Sequence, residues 1–437
     1  MGDRSVTICC TGDIHLGRRP SRVPAEADEY SVAYVWRHIV DAAIEADVDV
    51  VALTGDVVDQ DSAYYQAIGP LERGLRRLHR AGISTFAVAG NHDYDVLPRL
   101  VDAMGAEGFY LLGRGGRWEQ QMVERDGSAV LRLVGWSFPT RHVHRSPLDS
   151  FDLGFDEDIP TVGLLHADLD QRGSEYAPVT SAQLEESRHS TWLLGHIHRP
   201  AATKMPGGGL ILYPGSPQPL HPGEPGVHGP WLVDVEAGCE AVARQLPLAT
   251  LRYRELAIEL DGVDEEVELE QVVPEAVRRD LSEIADGSSD LRRLVYRLRY
   301  VGRTALHRRL EALSERIIDD LEISFGRASA TIDAVTVEST PKIDLEALAG
   351  NPDPPGVLAA LLIQVRDDAA SEAAQKLVRK MRTGVETVHR SGAYGPLRSD
   401  PATSSLPDDD WIRQRLLAEG LRLLDTLLAE KPDGVSR

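Results

Sequence analysis

The chain has 437 residues, 42% of them hydrophobic and 27% charged, with a formal net charge of −22; that length calls for two or three domains. The acidic balance argues against a general nucleic-acid coat, which needs concentrated Lys and Arg, but leaves room for a nuclease whose positive charge is local or carried by metal ions. No apolar run approaches the ~20 residues that span a bilayer, the N-terminus lacks a secretory pattern, and the three cysteines make neither a disulfide framework nor a zinc ribbon, so the expected compartment is the cytoplasm, away from membranes.

VTICC (6–10) is a short strand whose adjacent cysteines, Cys9 and Cys10, point to opposite faces as small core residues. Residues 31–47 carry Val32, Val35, Trp36, Ile39, Val40, Ala43 and Ile44 at the spacing of one helix face. VDVVALTGD (48–56) is a buried strand, a helix follows over about 62–81 to Gly82, and STFAVAGNHD (84–93) repeats strand and polar loop. WEQQMVERDGSAVLRLVGW (118–136) has two extended runs around Asp126-Gly127, a hairpin signal. TVGLLHAD (161–168) and TWLLGHIH (191–198) end apolar runs in polar residues, and WLVDVE (231–236) is a final strand. Residues 1–250 are thus mixed α/β.

A second unit, 251–345, alternates RYRELAIEL (252–260), a helix over about 270–286, LVYRLRYVG (294–302), a helix that Thr304 can cap, and ASATIDAVTVE (328–338). This order suggests a small α+β domain. NPDPPG (351–356) is a break, and 391–410 is rich in turn residues and is expected to be a linker. Within the helical region 346–437, the last helix (411–431) has an apolar face about half the circumference wide. Docking on its own chain is the favoured reading, docking on a partner protein the alternative.

Five segments end a strand with metal-ligand residue types: Asp13 and His15 in TGDIH, Asp56 in TGDVVD, Asn91 and His92 in AGNHD, His166 in LLHAD, and His196 and His198 in LGHIH. C-terminal strand ends in such architectures converge on one crevice. Asp, Asn and His without Cys suit Mn²⁺, Fe or Zn²⁺. The ligand count fits two ions sharing a carboxylate, for which Asp56 is the natural bridge. Asp59 lies three residues further on and is open to three readings: a ligand, a solvated loop charge or a partner for a catalytic group.

The ordered pattern D-x-H, G-D-x-x-D, G-N-H-D, H, G-H-x-H resembles the calcineurin-like metallophosphoesterases over about residues 5–236. The resemblance implies a two-sheet sandwich flanked by helices, with one metal held by Asp13, His15, Asp56 and His198 and the other by Asp56, Asn91, His166 and His196. It also implies that His92 protonates the leaving oxygen, and that Asp59 accepts a hydrogen bond from His92 and favours its proton-donating form. EYAPVTSAQLEESRHSTWLLGHIHRP (175–200), YPGSPQPLHPGEPG (213–226) and LVYRLRYVGRTALHRRL (294–310) resemble the bacterial DNA-repair exonuclease branch of SbcD and YhaO-like proteins. That likeness implies a capping domain after the phosphoesterase domain, DNA ends as substrate and an SbcC-type coiled-coil ATPase as partner. It also admits a homodimer, for which no surface can be located.

Three motifs stand outside this scheme. His142 and His144 in TRHVHRSP read first as a solvated basic loop and second as a substrate-lining one. Arg297, Arg299 and Arg303 share a parity and read equally as a solvated strand face or as a stripe for a DNA backbone. His221 follows the YPGSP turn with no ligand role implied. The leading functional expectation is a DNA nuclease. A phosphatase or small-molecule phosphodiesterase with the same metals is the alternative, and a structural repair subunit comes last.

Overall fold

The computed structural model describes residues 5–24, 26–59, 64–105, 107–154, 159–187, 189, 191–319, 321, 323–367, 371–389 and 408–429. In chain order these form β1 (Val6–Thr11), α1 (Val32–Glu45), β2 (Val50–Leu53), α2 (Tyr64–Arg80), β3 (Ser84–Ala87), α3 (Val96–Met104) and β4 (Phe109–Leu111). The hairpin β5 (Glu119–Arg125) and β6 (Ser128–Trp136) follows, then β7 (Thr161–His166), α4 (Ser181–Glu186), β8 (Thr191–Gly195), β9 (Ala201–Lys204), β10 (Leu210–Tyr213), β11 (Trp231–Val235) and β12 (Val242–Gln245).

Two six-stranded sheets result, ordered β12-β11-β1-β2-β3-β4 and β5-β6-β7-β8-β10-β9. The β1–β4 strands run parallel, as do β6–β7–β8 and β10 beside β8. Continuous apolar runs such as VVAL in β2, buried at every position, are what a parallel strand covered on both faces requires. Ile8, Cys10, Val50 and Ala52 of one sheet meet Leu133, Val162, Leu164 and Leu193 of the other in a shared core. Cys9, Val51 and Leu53 face the opposite way, against Trp36, Ile39 and Leu71 of α1 and α2. The two adjacent cysteines therefore do sit on opposite faces of β1, both fully buried. The outer face of the second sheet is covered around Trp136, Trp192, Leu194 and Leu184. The architecture is the expected mixed α/β two-sheet sandwich with helices on its faces.

The Asp126-Gly127 turn falls where it was expected, and a second local signal, not read from the sequence, starts α1. Ser31 caps α1 by accepting from Tyr34 N at 3.1 Å. At the β5–β6 turn both Asp126 (φ 54°) and Gly127 (φ 75°) are left-handed, the backbone of a two-residue hairpin that keeps the strand twist.

The remaining elements are β13 (Leu251–Glu259), α5 (Glu266–Asp286), β14 (Arg293–Val301), β15 (Arg303–Thr304), α6 (Leu310–Asp319), β16 (Ser324–Phe325), β17 (Ala328–Val337) and β18 (Thr340–Pro341). They are followed by α7 (Leu345–Ala349), α8 (Pro354–Arg366), α9 (Glu372–His389) and α10 (Asp409–Ala429). A four-stranded sheet is ordered β13-β14-β17-β16. Chain contacts divide the molecule into one compact unit of 1–258, 269–300 and 311–336 and a second of 259–268, 301–310 and 337–437. In the second, Leu424 of α10 is buried with Ala359 and Leu362 of α8. Gly420 permits this packing, because a Cβ there would lie 2.3 Å from Leu362 Cδ2. The last helix thus docks on its own chain. Most of the expected 391–410 linker lies outside the described residues. Among the described residues no helix is long and apolar enough to cross a membrane.

Candidate metal centre

The loops leaving β1, β2 and β3 carry Asp13, His15, Asp56, Asn91 and His92, while His166 ends β7 and His196 and His198 follow β8. All are drawn together at one end of the sandwich. The backbone takes unusual shapes to do this: Asp13 (φ 48°), His15 (φ 51°), Asp56 (φ 49°) and His196 (φ 96°) all lie in the left-handed region. Such conformations cluster at functional sites, where surrounding structure holds them. Space is equally constrained. A Cβ on Gly90 would lie 2.2 Å from Asp56 Oδ1, and one on Gly195 would lie 2.1 Å from Thr54 O. Glycine is what lets the strand ends approach this closely.

Ligand atoms of Asp13, His15 and His198 lie within 4.8 Å of one another, as do those of Asp13, Asp56 and His166. Asn91 Oδ1 is 3.0 Å from His166 Nε2 and 3.1 Å from His196 Nδ1. His166 Nδ1 meets Thr54 O at 3.0 Å and His198 Nδ1 meets Glu224 Oε1 at 2.7 Å, so each ring is oriented with Nε2 toward the cluster. His15 Nε2 and His198 Nε2 face each other at 3.1 Å. His15, Asp13, Asp56, Asn91 and His166 are buried; His196 and His198 are partly open.

Burial pushes His15 down to about 3 and His196 down to about 4, which leaves neutral imidazoles with lone pairs. It pushes Asp13 up to about 6. Burial also opposes the Asp56 carboxylate, but His166, His15 and His92 outweigh it and hold Asp56 well below the usual range. The same contact, against burial, lifts His166 to about 9. The centre therefore gathers buried carboxylates that need positive charge, and a proton on His166 supplies some of it. Divalent cations, which displace protons from such ligands, would supply more. Two carboxylates, one amide oxygen and four imidazoles fit two hard-to-borderline ions.

Asp59 is buried, 3.2 Å from Arg18 Nε and 3.7 Å from His15 Nδ1, and its carboxylate clusters with His15 and His92. The half-buried His92 ring meets His15 edge-on at 5.0 Å, and His92 N donates to Asp56 Oδ1 at 2.9 Å.

Three acids escaped the sequence reading. Asp93, fully buried, accepts from Gly90 N at 2.7 Å, Val57 N at 2.8 Å and Val58 N at 3.3 Å, tying the Asp56 loop to the Asn91 loop. Glu224 also accepts from Ser216 Oγ and Leu220 N, each at 2.9 Å, and His221 Nε2 lies 3.1 Å from it. Asp168 Oδ1 lies 3.4 Å from His196 Nε2. Glu224 and Asp168 sit inside quoted segments, HPGEPG and LLHAD, and their burial beside a ligand histidine was the missing signal. The arginines of 297–303 are engaged: Arg297 with Asp333 at 3.0 Å, Arg299 with Glu255 at 2.9 Å and Arg303 with Asp425 at 3.1 Å.

Residues 6–200 match the family model of the calcineurin-like phosphoesterases. The chain thus carries a calcineurin-like metallophosphoesterase domain. Residues 253–340 match the middle domain of metallophosphoesterase YhaO, which places a YhaO-like domain after it. The uncharacterized metallophosphoesterase YhaO of Bacillus subtilis is 28% identical over 53% of this chain and 58% of its own length. The DNA double-strand break repair protein Mre11 of Haloferax volcanii is 28% identical over 59% of this chain and 55% of its own. The chain therefore spans little more than half the length of these curated relatives. A dimetal phosphatase from Danio rerio superposes loosely, with a TM-score of 0.34 at 14% identity, over 55% of this chain and 98% of that one.

Proposed function

We propose that the chain is a metal-dependent DNA nuclease of the SbcD/YhaO-like branch, cutting phosphodiesters from strand ends with an SbcC-type ATPase in the cytoplasm. The observation that carries the hydrolase reading is the convergence of Asp13, His15, Asp56, Asn91, His166, His196 and His198 from both sheets on one cluster. The choice of DNA is supported by relatives named for double-strand break repair. In this reading 1–250 is the phosphoesterase domain, 251–345 the capping domain and 346–437 a helical appendage.

Asp13, His15, Asp56 and His198 would hold one cation, and Asp56, Asn91, His166 and His196 the other. When bound, two ions such as Mn²⁺, Fe or Zn²⁺ neutralise phosphoryl oxygens and lower the pKa of water. Asp13 and Asp56 set the charge of the centre, while Thr54 O and Glu224 fix the rings of His166 and His198. Asp93 holds the two ligand loops in register. His92, half-exposed at the rim, gives its proton to the leaving oxygen. Asp59, whose carboxylate clusters beside it, would accept a hydrogen bond from His92 and aim the ring as the proton is given up.

The test is Mn²⁺-dependent cleavage of end-labelled DNA by wild type and His92→Ala side by side. Cutting by wild type and its loss in the variant are expected, and intact DNA in both would refute the reading. The net charge of −22 and the ion-paired arginines of β14 favour a second reading, a phosphatase with the same centre. Turnover of a phosphomonoester far above that of any diester would select it.

A further inference from the structure

His142 and His144 open a second feature beside the metal centre. Their rings lie 14° from parallel with centroids 6.5 Å apart. Alternate residues of an extended segment point the same way, and the Val143 backbone between them is pinned: Val143 N donates to Glu175 O and Ala177 N donates to Val143 O, both at 2.8 Å. The pair is thus presented by a fixed strand-like segment. The His142 ring continues to Tyr176 at 5.6 Å, and Tyr176 continues to His196 at 4.7 Å, tilted by 38° and 35°. Three ring steps therefore run from a proposed metal ligand to the exposed His144. Nothing in the hydrolytic scheme uses them.

A separation of 6.5 Å is close to twice the ~3.4 Å rise between stacked bases. We propose that His142 and His144 clamp one unpaired nucleobase of a single strand whose phosphate lies at the metal centre, with Tyr176 backing His142 on the side toward His196. This rests on the nuclease reading and sharpens it to strands with unstacked ends. Arg145 follows the pair and supplies a cationic group for a flanking phosphate. Glu175 Oε2, 3.4 Å from His142 Nδ1, steadies the first ring from its edge and does not occupy the side that faces His144. The clamp offers ring faces to the base and no hydrogen-bond readout of its identity, so it is tolerant of sequence.

The test compares binding of a short oligothymidylate and the same strand with abasic residues at its end. Fluorescence anisotropy with the full chain in Ca²⁺ gives the affinities, and cleavage in Mn²⁺ is followed in parallel. Wild type is expected to prefer the base-bearing strand by roughly 5- to 150-fold, the range of one base–aromatic stack. His142→Ala with His144→Ala should erase the preference, whereas His142→Phe with His144→Phe should keep it. A preference that survives the double alanine variant overturns the clamp. So does a wild type that cuts DNA but binds both strands equally, and that result leaves the nuclease reading standing. A preference without any cleavage supports the clamp and removes the nuclease reading.

Discussion

Asp93 offers the sharpest test of how the centre is held. Its carboxylate accepts three backbone N–H groups, from Gly90, Val57 and Val58, in a fully buried position. Asp93→Ala leaves all three donors without an acceptor. Buried unsatisfied donors cost about 1–3 kcal/mol each, so the gross loss is roughly 3–6 kcal/mol at the lower half of that range. Part of this is offset, because burial pushes the Asp93 carboxyl up to about 7 and its removal relieves that strain. A net loss of about 2–4 kcal/mol is expected, with Asp93→Asn in between because an amide oxygen still satisfies one side. Urea unfolding followed by tryptophan fluorescence reads this directly, since five of the six tryptophans lie in the unit that holds the site. Bound Mn²⁺ per chain, measured by atomic emission, should fall in the same order as the two loops lose register. An alanine variant within about 1 kcal/mol of wild type, with full metal content, would refute the idea that Asp93 ties the loops together.

Gly195→Ala should abolish metal content and phosphoesterase activity together, because its Cβ would sit 2.1 Å from Thr54 O and 2.6 Å from His166 Nδ1; a metal-replete variant would show that the strand ends can part. Asp59→Asn should slow turnover while metal content stays nearly intact, and metal loss on dialysis would instead make Asp59 a ligand or its support. Glu224 is held down from 4.5 to about 2, where burial is outweighed by its hydrogen bond with His198. At ~1.4 kcal/mol per unit its ionised form contributes at most about 3 kcal/mol, present above pH 4.5 and lost as pH falls toward 2. In metal-free protein the melting temperature of wild type should exceed that of Glu224→Gln most near pH 6, and the gap should shrink as pH falls below 4.5 and close only below about pH 2; a gap independent of pH would contradict this.

The convergence of these residues was legible because each candidate ligand stands at or just past the end of an apolar run, and the end of a parallel strand is a position that periodicity locates well. Asp13, Asp56 and His166 follow from this alone. The left-handed backbone of His196 does not, since nothing in LGHIH marks it. Asp93 was overlooked because it stands beside His92 in GNHD, where the histidine draws attention, and its partners at Val57 and Val58 are backbone groups with no side-chain signature. The arginines of β14 were ambiguous for the opposite reason: parity gives a face, but the acids opposite, Asp333 and Glu255, lie on other strands. Cross-strand pairing is a tertiary fact. Asp126-Gly127, by contrast, acts through neighbouring atoms and was visible at once.

The proposed ligands hang from both layers of the sandwich: Asp13, His15, Asp56 and Asn91 from one sheet, His166, His196 and His198 from the other. Ions held between them would act as clasps, joining positions as far apart as 13 and 198 along the chain. Because the unfolded chain holds no such site, the binding free energy of the ions would add to the stability of the folded chain. Parting the sheets at that end and releasing the ions then become one event. Amides of β1 and β8 should gain hydrogen-exchange protection together on metal addition, and scarcity of the metal would shorten the lifetime of the folded chain as well as silence its chemistry.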